Sequence, residues 1–417
     1  MQLRSSALSA LAFAIQSTAK FDYPADRTLT YVLREKRVGS LDRPLVAEGF
    51  YAWLRHRLTV EAIAFDGAKP KDEFTALALA ALARQFRRRV TVPTGETDRY
   101  TKFLKTEETI GAHPKRELPA WLWDRLGVQY GNDERIALAE ELLKPASFDL
   151  RVNTLKAKRD DVLRRLVKEG FDGARATPLS DIGIRLQKLE LGRVDISRHE
   201  LFENGVIEVQ DEGSQLLAKL VGAKRGEFVV DFCAGAGGKT LALAAMMAST
   251  GRLYALDNNE RRLDNLGPRL ARSGASNVQT MRIENEHDSK LAKFAGKVDR
   301  VLVDAPCSGL GTLKRNPDLK WRQSPASVKE LVEIQKSILN EAAKLVRSGG
   351  RLIYATCSLL SEENEKVAEH FIANNEGWSI VPVSLRDEAL NPEKPFAQLL
   401  PHRDGCDGFF AAVFERG

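Results

Sequence analysis

The chain has 417 residues, 43% hydrophobic and 29% charged, an ordinary globular balance spread over more residues than one domain usually holds. Its formal net charge of +6 suits a polyanionic partner and speaks against an acidic, disordered chain. Four cysteines, Cys233, Cys307, Cys357 and Cys406, form no CxxC pair, and of the six histidines only His402 is near one of them, so neither a disulfide framework nor a zinc site is expected.

Leu8, Leu11 and Ile15 begin a helical stripe. The apolar run 8–15 is too short to span a bilayer and has only Arg4 before it, so it reads as a first helix rather than a leader. No other stretch approaches a membrane span, and a cytoplasmic protein is expected. Helices follow at 28–37 and at 44–57, where Val46, Phe50, Trp53, Leu54 and Leu58 repeat at helical spacing. A further alanine–leucine helix at 75–89 ends in Arg84, Arg87, Arg88 and Arg89, the charge that a helix C-terminus prefers. Residues 1–112 are therefore predicted to be an all-α domain. After a turn at Gly111-Ala-His-Pro114, residues 118–214 mix helices (133–143, 158–169) with strand-like pieces (149–153, 205–209), which suits a small α+β domain.

Residues 215–417 change pattern again. Short apolar runs at 228–232, 253–256, 278–283, 301–303, 351–355 and 409–414 alternate with helical stretches at 239–247, 260–272, 326–346 and 362–374. That alternation predicts a doubly wound, Rossmann-like α/β domain with a mostly parallel sheet. The last strand is a candidate for antiparallel pairing.

The first strand of this domain runs into Asp231-Phe-Cys-Ala-Gly-Ala-Gly-Gly-Lys239-Thr. A glycine-rich turn lets backbone approach a ligand, and the helix behind it offers free N–H groups. The second strand ends in Asp257, placed to accept both hydroxyls of a ribose. Gly238-Lys239-Thr240 imitates the end of a phosphate-binding loop, but Cys233 occupies the place of that loop's first glycine. The loop alone leaves a generic nucleotide-binding domain and a methyltransferase equally open.

Two further segments carry the chemistry. The fourth strand ends in Asp304-Ala-Pro-Cys307-Ser-Gly309 and the fifth in Tyr354-Ala-Thr-Cys357-Ser358. Carboxyl ends of neighbouring parallel strands face one crevice, so Cys307, Cys357 and Asp304 are expected to converge beside the cofactor. A thiolate adding to carbon 6 of cytosine makes carbon 5 nucleophilic enough to accept a methyl group. A carboxylic acid near ring nitrogen 3 assists the addition, and Asp304 is the candidate. A second thiol assists release. Buried cysteines are commonly plain small hydrophobes. That reading fits Cys406, and fits Cys233 packed in the glycine loop, better than it fits the strand-end pair.

With these segments on the page, residues 118–417 resemble the Sun (Fmu) family of RNA cytosine-5 methyltransferases. The matching stretches are 231–240, 304–309, Arg315-Asn-Pro-Asp-Leu-Lys-Trp321, Thr356-Cys-Ser358 with Glu362-Glu-Asn-Glu365, Gln210–Gln215, Arg151-Val-Asn153 and Asp407-Gly-Phe-Phe410. The resemblance implies a class I methyltransferase domain that uses S-adenosylmethionine, with Cys357 as nucleophile and Cys307 as the release cysteine. It implies a cofactor site lined by Cys233, Ala234, Gly235, Ala236, Gly237, Gly238, Lys239, Asp257 and Asp304. Its acidic residue for the adenosine end aligns with Glu284, and Asp288 is a second candidate. DNA enzymes attack from the Pro-Cys site, so the Thr-Cys site argues for RNA.

The helical region, through 33–43 and Tyr51-Ala-Trp-Leu-Arg55, resembles the NusB-like RNA-binding domain fused to the small-subunit methyltransferase B subgroup. It implies 16S ribosomal RNA as partner. Arg37, Arg43, Arg55, Arg57 and the Arg84–Arg89 cluster are candidate phosphate contacts, or solvated scaffold arginines. Lys314, Arg315 and Lys320 are candidates to hold RNA backbone, and Trp321 either stacks on a base or fills a core. The expected partners are thus RNA alone, with no membrane and no metal, and the chain is taken as a monomer. A non-catalytic assembly factor and the same chemistry on transfer RNA are the competing readings.

Overall fold

The structure, a computed structural model, describes residues 1–417 except 66, 68, 112, 114, 188–195, 387–389 and 394. Contacts divide the chain into two compact units, residues 1–145 with 313–324, and residues 146–312 with 325–417.

The first unit is helical. Ser5–Thr18, Ala25–Glu35, Arg43–Arg55, Arg57–Phe65, Glu73–Phe86, Thr97–Thr109, Ala120–Tyr130 and Asn132–Leu142 are its main helices. Leu11, Ile15, Phe50, Trp53, Leu54, Leu79 and Leu82 form the centre of one core, and the alanines of Glu73–Phe86 are buried on nearly every side. The helix expected at 44–57 is Arg43–Arg55, and a second helix, Arg57–Phe65, begins directly after His56. Burial pushes His56 down to about 3, so its ring sits neutral between the helix ends. The expected helix 75–89 stops at Phe86, because Arg87 adopts a left-handed backbone at φ +50°. Arg84 is not a free phosphate contact: it donates to the buried Glu107 at 2.9 Å. Likewise Arg57 pairs with Glu61 at 2.8 Å, and Arg55 is buried.

The segment 313–324, expected among the RNA contacts, belongs to this helical unit. Lys314 is buried and bonds Glu141. Lys320 is 3% exposed, with its ammonium donating to the Arg55 carbonyl at 2.8 Å. Trp321 donates from Nε1 to the Leu54 carbonyl at 3.0 Å. These side chains are spent inside the unit, which corrects the expectation for Lys314 and Lys320 and gives Trp321 its packing role.

Burial pushes Lys320 down to about 7. From about pH 7 to 10 the unfolded chain holds this proton more tightly than the folded one, so stability rises with pH across that window. Thermal melts of the full chain are expected to show this rise between pH 7 and 9, and Lys320→Met to flatten it. Equal slopes in the two proteins would contradict it.

The second unit carries two sheets. Strands β1 (Phe148–Val152), β2 (Arg175–Ala176), β3 (Gly183–Leu186) and β4 (Ile207–Val209) form an antiparallel sheet in the order β2-β3-β1-β4. Val162 and Leu166 of the helix Arg159–Lys168 share a core with it. The joint placed between residues 214 and 215 falls inside the helix Glu212–Val221, whose N-terminus is capped by the Asp211 carboxylate on the Gly213 amide at 2.8 Å.

The larger sheet contains β5 (Phe228–Asp231), β6 (Arg252–Asp257), β7 (Val278–Arg282), β8 (Val298–Asp304), β9 (Val346–Thr356), β10 (Trp378–Val381), β11 (Ala397–Leu399) and β12 (Phe409–Arg416). Its order is β10-β12-β9-β8-β5-β6-β7, with β11 also on β12. Strands β5 to β9 are parallel, and β12 runs antiparallel beside β9, as expected for the last strand. Val301, Leu302, Val303, Leu352, Ile353 and Tyr354 are buried on both faces, which is why these strands read as continuous apolar runs. The direction of winding reverses between β5 and β8, and ligands bind at such a switch point. Among the described residues, no helix is long and apolar enough to cross a membrane, and no group of His, Cys, Asp and Glu is arranged to hold a metal.

Candidate active site

A cavity of about 560 Å³ opens at the carboxyl ends of the central strands. The loop after β5 supplies one wall. Gly235 takes φ +58°, and a Cβ built on it would meet nothing within 4 Å, so the glycine leaves room beside the cavity. Gly237 is different: it takes φ +81°, a Cβ there would come within 2.2 Å of Leu266, and it is absent from the lining. Its role is to turn the chain into the helix Gly238–Met246 while packing against Leu266.

Asp257 closes β6 and fixes this loop. One carboxylate oxygen accepts the Gly235 amide at 2.8 Å and the other the Asn259 amide at 2.8 Å. A carboxylate has about four acceptor positions, so Asp257 retains capacity for two ribose hydroxyls. At the other end, Lys239 donates to Asp304 at 2.6 Å. Burial works against the Lys239 ammonium, but the Asp304 carboxylate outweighs it, and the amine's pKa stands above its ordinary value. Beneath the loop, Asp231 accepts the Thr240 hydroxyl at 2.7 Å, and burial pushes its carboxyl up to about 7.

The two strand-end thiols meet. The Cys307 and Cys357 sulfurs lie 3.3 Å apart as a thiol–thiol contact, both cysteines are free and part-exposed, and both line the cavity. The Cys307 thiol is pushed well up, first by its hydrogen bond to Cys357 and then by burial. Behind the thiols, the buried serines Ser308 and Ser358 point to Glu363, which has no exposed surface. Glu363 accepts the Ser308 amide at 2.8 Å, both serine hydroxyls, and the Gln335 amide nitrogen at 3.0 Å.

Of the residues expected at the site, Cys233, Ala234, Gly235, Ala236, Gly238, Lys239, Asp257, Asp304, Cys307 and Cys357 line one cavity. Glu284 does not. It is exposed and outside the lining, whereas Ile283, Asn285 and Glu286 contribute to the wall. Asp288 is occupied in a turn, accepting the Glu284 and Lys290 amides at 2.9 Å each. Burial raises the Cys233 thiol well above its usual value, which fits a packing role for it. Cys406 is buried away from the lining.

Sequence reading also missed Arg269. From the helix Glu260–Ser273 it lines the cavity, donates to the Ala236 carbonyl of the glycine loop, and pairs with Glu208 of β4 at 2.9 Å. Arg151 of β1 reaches the Gly238 carbonyl in the same loop. The small sheet is therefore tied directly to the loop. Only the family-like Arg151-Val-Asn153 segment hinted at this.

A doubly wound sheet with antiparallel β12, a glycine loop held by the Asp257 carboxylate, and a cavity at the switch point are the architecture of an S-adenosylmethionine-dependent methyltransferase. A family model described as 16S rRNA methyltransferase RsmB/F matches residues 218–415, and one for the RsmF/B-like ferredoxin-like domain matches residues 118–190. The probable ribosomal RNA small subunit methyltransferase B of Synechocystis sp. is 33% identical over 320 residues, covering 76% of this chain and 70% of that protein. The protein of the same description from Bacillus subtilis is 33% identical over 303 residues, covering 70% and 65%. A solved methyltransferase homolog protein from Pyrococcus horikoshii is 29% identical, with a TM-score of 0.62, covering 73% of this chain and 97% of that one. The chain belongs to the RsmB/F family of rRNA methyltransferases.

Proposed function

We propose that this protein methylates carbon 5 of a cytosine in 16S ribosomal RNA, through a covalent bond between Cys357 and carbon 6 of the base. The observation that carries this reading is the pair of free thiols 3.3 Å apart in one cavity with Asp304. A single thiol suffices for packing or for simple nucleophilic attack. Two on adjacent strand ends suit a reaction that must make and then break a bond to the same base.

The glycine loop, Asp257 and Glu286 would hold the nucleoside part of S-adenosylmethionine, and Glu286 takes the place first given to Glu284. When bound, that cofactor supplies an electrophilic methyl group. Lys239, raised by Asp304 and also by Cys357, is the cation beside the attacking sulfur. Cys357 Sγ adds to carbon 6, and Asp304 relays to ring nitrogen 3 the proton that it draws from the Lys239 ammonium. Carbon 5 then takes the methyl group. Once Cys357 is bonded to carbon 6, its sulfur no longer holds the Cys307 proton. Cys307 gives that proton to water and, as the thiolate, takes the carbon 5 proton. The carbon 6–sulfur bond breaks to return the Cys357 thiolate and the aromatic ring as the nitrogen 3 proton goes back through Asp304. The base must leave its stack to reach sulfurs at the bottom of a cavity, which an unpaired rRNA loop allows at least cost. The helical unit serves as an RNA-binding domain in this reading, and one cytoplasmic chain supplies every reacting group.

The test is incubation with labelled S-adenosylmethionine and unmodified 16S rRNA, followed by nucleoside analysis. 5-Methylcytosine in that RNA is the expected product. Product on transfer RNA alone, or RNA binding without any 5-methylcytosine, would sink the proposal.

A further inference from the structure

In both Cys-Ser pairs the sulfur faces the cavity and the hydroxyl goes the other way, to Glu363. Four donors reach this carboxylate: the Ser308 amide, the Ser308 and Ser358 hydroxyls, and Gln335. They use its full acceptor capacity. Gln335, itself fully buried, also donates to the Pro306 carbonyl at 3.0 Å, next to Cys307. The Tyr354 hydroxyl donates to the Glu363 carbonyl at 2.6 Å, fixing the backbone that presents the carboxylate. Glu363 is thus joined to the loops after β8 and β9 and to the helix Pro325–Ala343.

We propose that Glu363 is the positioning residue of the thiol pair: it ties the Cys307 loop to the Cys357 loop, and its charge on the Cys307 side favours the arrangement in which Cys307 donates its S–H and Cys357 attacks. The second half rests on the reading above that Cys357 adds to the base. The surroundings of the two sulfurs are unequal in the sense required. Cys307 faces Cys357, Glu363 and the uncharged Tyr354. Cys357 faces Cys307 and the Lys239 ammonium, which Asp304 holds at 2.6 Å. The Cys357 amide, 3.3 Å from the Cys307 sulfur, and the Gly309 amide favour a Cys307 thiolate. The S–H···S bond, burial, the Cys357 charge and then the Glu363 charge together outweigh them. A proton held on Cys307 is donated toward the Cys357 sulfur, and it is the arrangement from which only one thiol attacks.

The test uses the full-length Glu363→Gln protein, which keeps the side chain's size but replaces one acceptor oxygen by a donor. Three quantities are measured: kcat on 16S rRNA, KM for RNA and for S-adenosylmethionine, and the pH dependence of iodoacetamide alkylation at each cysteine, read by peptide mass. The expected result is a kcat at least about tenfold lower with both KM values within about twofold. The pH of half-maximal Cys307 alkylation should fall, while that of Cys357 moves less. Ser358→Ala removes one tie and leaves the charge, so kcat falls while the Cys307 alkylation profile stays. A Glu363→Gln protein with kcat within twofold of wild type overturns the tie, as does wild-type kcat in Ser358→Ala should the first variant not fold. Alkylation of Cys307 at lower pH than Cys357 in the wild type overturns the proton assignment. If Cys357→Ala rather than Cys307→Ala accumulates adduct on RNA, the nucleophile reading fails, and the kcat of Glu363→Gln still decides the tie.

Discussion

Replacing Cys357 by alanine is expected to remove methyl transfer altogether, a loss on the order of 10⁴-fold or more in kcat, while folding and cofactor affinity persist. The site's geometry separates these effects. Cys357 contributes its sulfur to the cavity, but the bond that secures its loop is made by its backbone carbonyl, which accepts the Gly311 amide at 2.8 Å. Alanine retains that carbonyl. It also leaves the glycine loop and Asp257 untouched, since their mutual bonds lie on β5 and β6. Serine at the same position should be nearly as inactive, because a hydroxyl ionises far less readily than a thiol. Single-turnover methylation with labelled cofactor measures the effect, and cofactor titration provides the control. Retention of even a tenth of the wild-type rate would contradict covalent catalysis by this residue.

Asp304→Asn is expected to lower kcat by about 10²–10⁴-fold, the usual worth of a positioned general acid. Asparagine still offers an oxygen to Lys239, so the 2.6 Å contact has a successor. It cannot relay a proton from the ammonium to ring nitrogen 3, and it has no charge to hold that ammonium. Without that charge, burial acts on Lys239 against only the weaker pull of Cys357 and Asp231, and its pKa falls. The residual activity should therefore decline at a lower alkaline pH than in wild type, as the lysine loses its proton and the thiolate of Cys357 loses its counter-charge. A pH–rate profile measures both effects. An unshifted alkaline limb would remove Lys239 from the account, and an unchanged kcat would remove Asp304.

How much of this site was legible before the structure depended on how local each signal is. Strand β8 and strand β9 announce themselves as apolar runs, and the rule that parallel strands end at one crevice then brings Cys307, Cys357 and Asp304 together without further information. The glycine loop was equally local. Glu284 lies off the wall because the chain just past β7 does not keep to one face: Ile283, Asn285 and Glu286 line the cavity while Glu284 turns out. Glu363 was passed over because a run such as Glu362-Glu-Asn-Glu365 has the composition of a solvated surface. Only the tertiary fold supplies the four donors that make its burial tolerable. The same holds for Lys320, whose partner carbonyl is 265 residues away in sequence.

The elements that escaped reading are those with weak patterns. Strands β10 and β11 have four and three residues, too few to establish alternation. The helix Thr97–Thr109 buries only Tyr100, Phe103 and Glu107, so its apolar stripe is nearly absent. The break at His56 was hidden because the apolar periodicity continues across it, through Trp53 and Leu54 to Val60 and Ile63.

The measurement that bears most directly on the two-thiol reaction is the mapping of a trapped intermediate. The full-length Cys307→Ala protein is incubated with S-adenosylmethionine and unmodified 16S rRNA, denatured, and digested with protease and nuclease, and the modified peptide is sequenced by mass. The account predicts a denaturation-resistant adduct in which the peptide bearing Cys357 carries a methylated cytidine nucleotide on its sulfur. An active Cys307→Ala enzyme with no adduct, or an adduct attached anywhere other than Cys357, would contradict it.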